Sequence, residues 1–475
     1  MKKILTLLIL LNFPAFCQQI YPVNEVEKPA EPAGGVAFLN QFIVSNMQIP
    51  IRLAAKGMNA RVFVKGVVEP DGSMSEMKVI KSVDSLSDKE ALRILSLYKA
   101  WKPALIKEKA VRQEAVFPVS FRTNPMPEFD STENAIVEYF DKNNLRTVDV
   151  KKYKFRNFIP TDHLGYVRSD ILYQELKSDK WKTLITIPFY KKEIYAHIFG
   201  PAGIDSVKAI KSFAKTDHYE SSYEELIVQA DGKLLSHAVY PGSGKPPTNN
   251  KSYYLNGMLK EEQTAIDSII KTIDWYDNGQ LHSIMELGGG KGVSIKNVWE
   301  RDGRQIVKDG NGWGKVKGNS WNRMAVYEEG KVLNGNKSGR WTGKLADSTL
   351  VYEEVYENGK LIKGMNNEKQ AYTDNAMMPA RFKGGPEKMY RFLGENINYP
   401  SDASSARIKG RVVVSFTITE DGSLSDYKIE KSVLKSLDQE ALRVIKKSSG
   451  LWEPATFSGQ KTKVRYTLPV NFDIN

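Results

Sequence analysis

Gly288-Gly289-Gly290-Lys291 has the glycines and the cation of a phosphate-cradling loop, in which bare backbone N–H groups approach the anion and a lysine neutralises it. Gly292 follows where that loop needs Ser or Thr, and Met285 stands where its leading glycine belongs. Asp309, Asn311 and Gly314 have the spacing of a calcium loop, but Trp313 replaces one oxygen ligand and Ser320 stands where a glutamate closes the site. The five histidines, at 163, 197, 218, 237 and 282, fall at no metal-ligand spacing, and no serine sits in a G-x-S-x-G elbow. Cys17 is the one cysteine. The sequence therefore predicts no catalytic residue, no metal ligand set and no cofactor.

Composition narrows the class further. A chain of 475 residues exceeds one core and suggests about three domains. Hydrophobic content of 41% excludes global disorder. The net charge of +12 is spread without a basic run, which speaks for a solvated surface and against a nucleic-acid partner. Lys2 and Lys3 precede an apolar run from Ile4 to Leu11 and then Ala15-Phe16-Cys17, the form of a secretory leader too short to span a bilayer. Cleavage after Cys17, or lipidation of Cys17, places the mature chain in the periplasm or cell envelope, without disulfide or transmembrane segment.

The elements that must position any site are announced by a duplication. Gly34, Gly35, Phe42, Asn46 and Pro50 recur 350 positions later as Gly384, Gly385, Phe392, Asn396 and Pro400, and 34–98 shares 21 of 65 positions with its copy. One inserted residue then aligns Trp101-Lys102-Pro103 with Trp452-Glu453-Pro454 and Phe117-Pro118-Val119-Ser120-Phe121 with Leu468-Pro469-Val470-Asn471-Phe472. In the second copy, 386–396 reads as a short helix. Val412, Val414, Phe416 and Ile418 alternate on one face of a strand, and Asp421-Gly422 turns it back. Leu437, Ala441, Val444 and Ile445 make a helical stripe, with Glu440 and Arg443 spaced for an ion pair, as are Glu90 and Arg93. Trp101 and Trp452 plug the core end or stack on a ligand. Pro469 assigns the last strand to a sheet edge. The fold class is α+β: two α-β-β-α-β modules with three-stranded antiparallel sheets, separated by a β-rich hairpin-repeat region. A free edge on such a sheet invites strand addition.

The pattern that opens with this Gly-Gly pair and ends in Arg465-Tyr466-Thr467-Leu468-Pro469-Val470-Asn471-Phe472 resembles the TonB C-terminal domain, in its Bacteroidetes-type form. The resemblance covers 384–475 and, more divergently, 34–123, where Gly410 becomes Ala60 and Tyr399 becomes Ile49. It implies a protein or peptide partner, in such domains a segment of an outer-membrane receptor, paired against the last strand. By position that strand is Lys463, Arg465, Tyr466, Leu468, Val470 and Phe472, with Arg112, Glu114, Val116, Val119 and Phe121 in the first copy. Proline at Tyr466 is expected to delete a donor from this edge. Such domains also transmit force from the inner membrane. This chain has a cleavable leader, only the short proline stretch 22–32, and two modules.

The intervening chain is read as a β-rich segment, 128–230, and a hairpin-repeat segment, 231–365. Asp130 and Glu133 are spaced as the capping box of a helix over 130–143. Asp231-Gly232, Asn256-Gly257, Asn278-Gly279, Asp302-Gly303, Glu329-Gly330 and Asn358-Gly359 mark successive hairpin turns, usually preceded by aromatics that serve as core rungs or as a sugar- or peptide-binding stripe. Segments such as 275–281 and 355–364 resemble degenerate MORN-type repeats, which implies a β-meander used for contacts. The predicted function is non-catalytic recognition linked to TonB-dependent transport, or else a structural envelope scaffold binding cell wall or a neighbouring protein.

Overall fold

The computed structural model describes residues 19–200, 203–215, 223–241, 247–288, 292–318, 326–367, 369–373, 379–457 and 460–473. The expected leader, 1–17, lies outside these residues, as do Gly289, Gly290, Lys291, His218 and Ser320. Two compact units form, one of residues 1–198 and 206–310 and one of 199–205 and 311–475.

The first unit opens with the first module. Gly34 and Gly35, both at positive φ, lead into the helix Val36–Asn46. The strands Lys56–Val68 and Met74–Lys81 form the hairpin around Asp71-Gly72. Asp84 caps the helix Ser85–Leu97 by accepting from the N–H groups of Leu86 and Ser87. The closing strand Lys109–Pro125 pairs antiparallel with Lys56–Val68. Val62, Val64, Ile94, Leu95, Phe42 and Phe121 are buried between sheet and helices, and Trp101 lies beneath them with only 4% of its surface exposed. The sheet is not three-stranded as expected. Ile20–Tyr21 joins the closing strand in parallel, and Ala104–Ile106 forms a hairpin with its beginning.

The expected helix over 130–143 is absent. Phe129–Asp130 and Ala135–Phe140 are strands, because Ala135 and Val137 alternate inward at period two, and Asp130 bonds Thr132 and Glu133 in a turn instead of a cap. They join Phe155–Pro160, Ile171–Lys177 and Lys180–Ile187 in one sheet. Beyond it, strands from Gly203–Ala214 to Gln305–Lys308 follow one another as an antiparallel meander. The first module sits on its turns. Leu259 N–H donates to Asn46 Oδ1 at 2.7 Å, Lys99 N–H to the Asn278 carbonyl at 2.8 Å, and Phe38 meets Trp299 edge-on at 5.0 Å.

In the second unit, Asn311–Lys317 to Ala371–Tyr372 form another meander. Asn358-Gly359 makes a turn, but Glu329-Gly330 lies inside the strand Tyr327–Leu333. Gly330 faces Trp341 directly across the ladder, and a Cβ there would lie 2.6 Å from the indole. The glycine makes room for a ring at a register shift of the ladder, between Gly330 and Lys331, and makes no hairpin turn. Gly343 opposite Tyr352 and Gly364 opposite Tyr372 repeat the arrangement.

The second module follows: helix Gly385–Asn396, a short helix Ser401–Ser405, strands Gly410–Ile418 and Leu424–Lys431, helix Lys435–Lys447 and strand Val464–Phe472. Its sheet has three strands, with Gly410–Ile418 in the centre. Val412, Val414, Phe416, Ala441, Val444, Trp452 and Val470 form the core.

Candidate functional site

Val464–Phe472 pairs on one side with Gly410–Ile418, and among the described residues no strand flanks its other side. Which backbone groups face outward follows from the ladder. Thr419 directs both its N–H, to Ser423, and its carbonyl, to the Gly422 N–H, toward the Leu424–Lys431 side. Backbone groups alternate along a strand. Ile418, Phe416, Val414 and Val412 therefore turn toward the closing strand, and bond Val464, Tyr466, Leu468 and Val470 opposite them. The intervening residues Arg465, Thr467, Pro469 and Asn471 point outward. Pro469, which has no N–H, sits in the row where the fold needs none.

The side chains divide by the same parity. Leu468, Val470 and Phe472 are buried, and Tyr466 packs on Trp452 at 5.0 Å and Phe416 at 5.7 Å. Lys463 and Thr467 are exposed. The Arg465 guanidinium reaches across its own sheet to Ser415 Oγ at 2.5 Å and Glu430 Oε1 at 3.4 Å. Lys428 first, then Ser415 and Arg465, hold the Glu430 carboxyl down to about 2. Proline at Tyr466 would thus break the internal ladder opposite Phe416, and the residue whose N–H faces the free side is Thr467. Sequence reasoning chose the strand but not the parity, which needs the register set by the Asp421-Gly422 turn.

In the first copy the same flank begins under a cover. Arg112 pairs with Ile20, and its guanidinium binds Glu69 at 2.8 Å and Glu76 at 2.6 Å. Glu114 pairs with Lys65 at 2.5 Å, Val116 is 46% exposed, and Val119 and Phe121 are core residues.

The structure also assembles a trio that the sequence reading missed. The Asp274 carboxylate accepts from Ser283 Oγ and lies 2.7 Å from His282 Nδ1, because Asp274 and Ser283 are paired across one hairpin. All three are buried, and the serine bonds the aspartate and not the imidazole, the reverse of a nucleophile's relay. Alignment of the hairpin by its Asn278-Gly279 turn would have revealed it. His237 Nε2 lies 2.8 Å from Glu224 Oε1, and His163 uses its carbonyl to accept from Ile51 N–H. Asp309 N–H donates to Asn297 Oδ1 and Asn311 Oδ1 accepts from Asn334 N–H, and among the described residues no three His, Cys, Asp or Glu side chains cluster as a metal site.

Among the described residues no helix is long and apolar enough to cross a membrane. Residues 45–123 and 395–474 both match the family model described as the Gram-negative bacterial TonB protein C-terminal. Protein TonB of Helicobacter pylori strain ATCC 700392 / 26695 is 32% identical over 114 residues, which are 24% of this chain and 38% of that protein. Protein TonB of strain J99 / ATCC 700824 is likewise 32% identical, over 39% of its length. The chain thus spans about two fifths of the relatives it matches. Two solution structures of the H. pylori TonB-CTD are 30% and 31% identical, cover 19% and 18% of this chain and 79% and 90% of theirs, and each has a TM-score of 0.16. The two terminal modules belong to the TonB C-terminal domain family.

Proposed function

We propose that this protein is a non-catalytic recognition protein of the periplasm, whose second module accepts a partner's strand along the outer side of Val464–Phe472, in the service of TonB-dependent transport across the outer membrane. The observation that carries this reading is the outer flank of that strand, which no described strand covers and which holds outward N–H groups at Arg465, Thr467 and Asn471. An added strand satisfies these groups, and its side chains are then read by neighbours on either face.

The test is photo-crosslinking from a benzoylphenylalanine at Asn471 in the full chain, with synthetic peptides from the N-terminal segments of outer-membrane receptors as probes. The expected result is capture by the otherwise native chain and loss of at least tenfold when Thr467 is replaced by proline, since one donor is removed and the added ring obstructs the ladder. Equal capture by the two chains would refute strand addition.

A second reading, an envelope scaffold, draws support from the first module, which is packed on the meander turns at Leu259, Asn278 and Trp299. In it the hairpin surface binds cell wall or a neighbouring protein, and Thr467→Pro leaves binding unchanged.

A further inference from the structure

The two modules differ at the place where their docking flanks begin. In the first, the chain that precedes the module doubles back on it. Ile20 and Tyr21 pair in parallel with Arg112 and Gln113. Glu27 N–H and Lys28 N–H then donate to the Leu105 carbonyl, and Leu105 N–H returns a bond to Lys28 at 2.9 Å. Ala30 N–H donates to Gln113 Oε1 at 2.7 Å, and Glu31–Pro32 pairs with Trp101–Lys102. Gln113 is 2% exposed, so its side chain is a buried acceptor directed at this strap.

The second module repeats the end of the strap, where Arg381–Phe382 pairs with Trp452–Glu453, and among the described residues nothing repeats its beginning. The position equivalent to Gln113 is Val464, which has no acceptor to offer. Ala371 and Tyr372, which match Ile20 and Tyr21 when Gln370-Ala371-Tyr372 is set against Gln19-Ile20-Tyr21 with one gap before the glycine pair, pair instead with Met365 and Gly364 in the meander.

We infer that Ile20–Tyr21, tethered by the strap through Pro32 and by Gln113, is a built-in occupant of the first positions of the first module's docking flank, so that the second copy, where no described residue lies at this place, is the one open to a partner. The strap closes the flank where a guest strand would enter at Arg112. Its pairing at Arg112 and Gln113 stands where a guest's first residues would pair, and the bonds to Leu105, Trp101–Lys102 and Gln113 Oε1 fasten it there. An isolated strand of the strap's own sequence is therefore a ligand of the emptied site. The inference rests on the outer flank being the partner-accepting one, as proposed above, but its test involves the first module alone.

The test uses the full chain with a photo-crosslinking residue at Val116, four positions along the flank from Arg112, and a biotinylated synthetic peptide of residues 18–32 as probe. The chain with its strap in place captures little peptide. Gln113→Val, which installs the second module's residue, removes the bond from Ala30 N–H and the side-chain bond to the Glu114 carbonyl, and capture rises about tenfold. A chain lacking residues 19–29 captures more still. Amide exchange at residues 27–30 accelerates in Gln113→Val while that of the core strand Lys56–Val68 does not, which separates release of the strap from unfolding. Equal capture by the native, substituted and shortened chains, each with a protected core strand, would overturn the inference. That outcome leaves the result at Asn471 and Thr467 untouched.

Discussion

Glu440 shows how much one carboxylate can organise. It is 8% exposed, accepts the Asn398 N–H at 2.5 Å, and binds Arg443 at 2.7 Å, while Arg443 also donates to the Asn396 carbonyl. Glu90, Arg93, Gln48 and Asn46 repeat this arrangement in the first module. The spacing alone announced a surface ion pair of a few tenths of a kcal/mol. What it hid is that the pair fastens one helix to the loop after another. Replacing Glu440 by alanine leaves the Asn398 N–H without its acceptor and frees Arg443 from one of its two anchors, and is expected to cost about 1–2 kcal/mol by urea denaturation. The Arg443 hydrogen bond holds the Glu440 carboxyl below its ordinary 4.5. Its contribution is then complete above that value and fades as pH falls through the depressed folded pKa. The stability difference between the native chain and Glu440→Gln should accordingly be constant from pH 7 to 5 and shrink at lower pH. A difference that grew on acidification would contradict the sign.

Among the elements, hairpins with an Asn-Gly or Asp-Gly turn were legible, because only a residue tolerant of positive φ serves there: Gly232, Gly257, Gly279, Gly303 and Gly359 all adopt it. Glu329-Gly330 looked the same on paper, yet its glycine is a strand residue under a tryptophan. Local sequence does not distinguish a glycine that turns the chain from one that accommodates a ring across the ladder. The segment 130–143 was misread for a related reason, since a side chain that bonds N–H groups two and three residues ahead suits a turn as well as a cap. In the meander the aromatic rungs depend on these gaps. Gly343→Val places its Cβ inside the Tyr352 ring and displaces it from its bond to Glu328, so it should lower stability by about 1–3 kcal/mol. Gly339, with nothing near its missing Cβ, is the control for crowding; its own positive φ makes a D-alanine, introduced by semisynthesis, the proper substitution there.

For the molecule as a whole, the duplication was visible in the sequence but the unequal embedding of its copies was not. Contacts such as Asn46 with Leu259 join residues 213 positions apart, and no local pattern signals them. Two turn glycines sit at these joints: a Cβ on Gly303 would lie 2.3 Å from the Gly34 backbone N, and one on Gly279, at φ +90, 2.9 Å from both Phe42 and Tyr98. Gly279→Val is expected to cost about 3 kcal/mol, from left-handed backbone strain and overpacking together. By hydrogen exchange it should loosen the first module while leaving the amides of Gly410–Ile418 protected. Loss of protection in both would show that the duplicated halves fold as one. The outward row at Arg465, Thr467, Pro469 and Asn471 carries a last consequence. A visiting chain laid there would meet donors interrupted by one pyrrolidine ring, so sliding it by two residues would set a different carbonyl against the gap. The flank can thereby discriminate alignment between otherwise similar sequences before any side chain is compared.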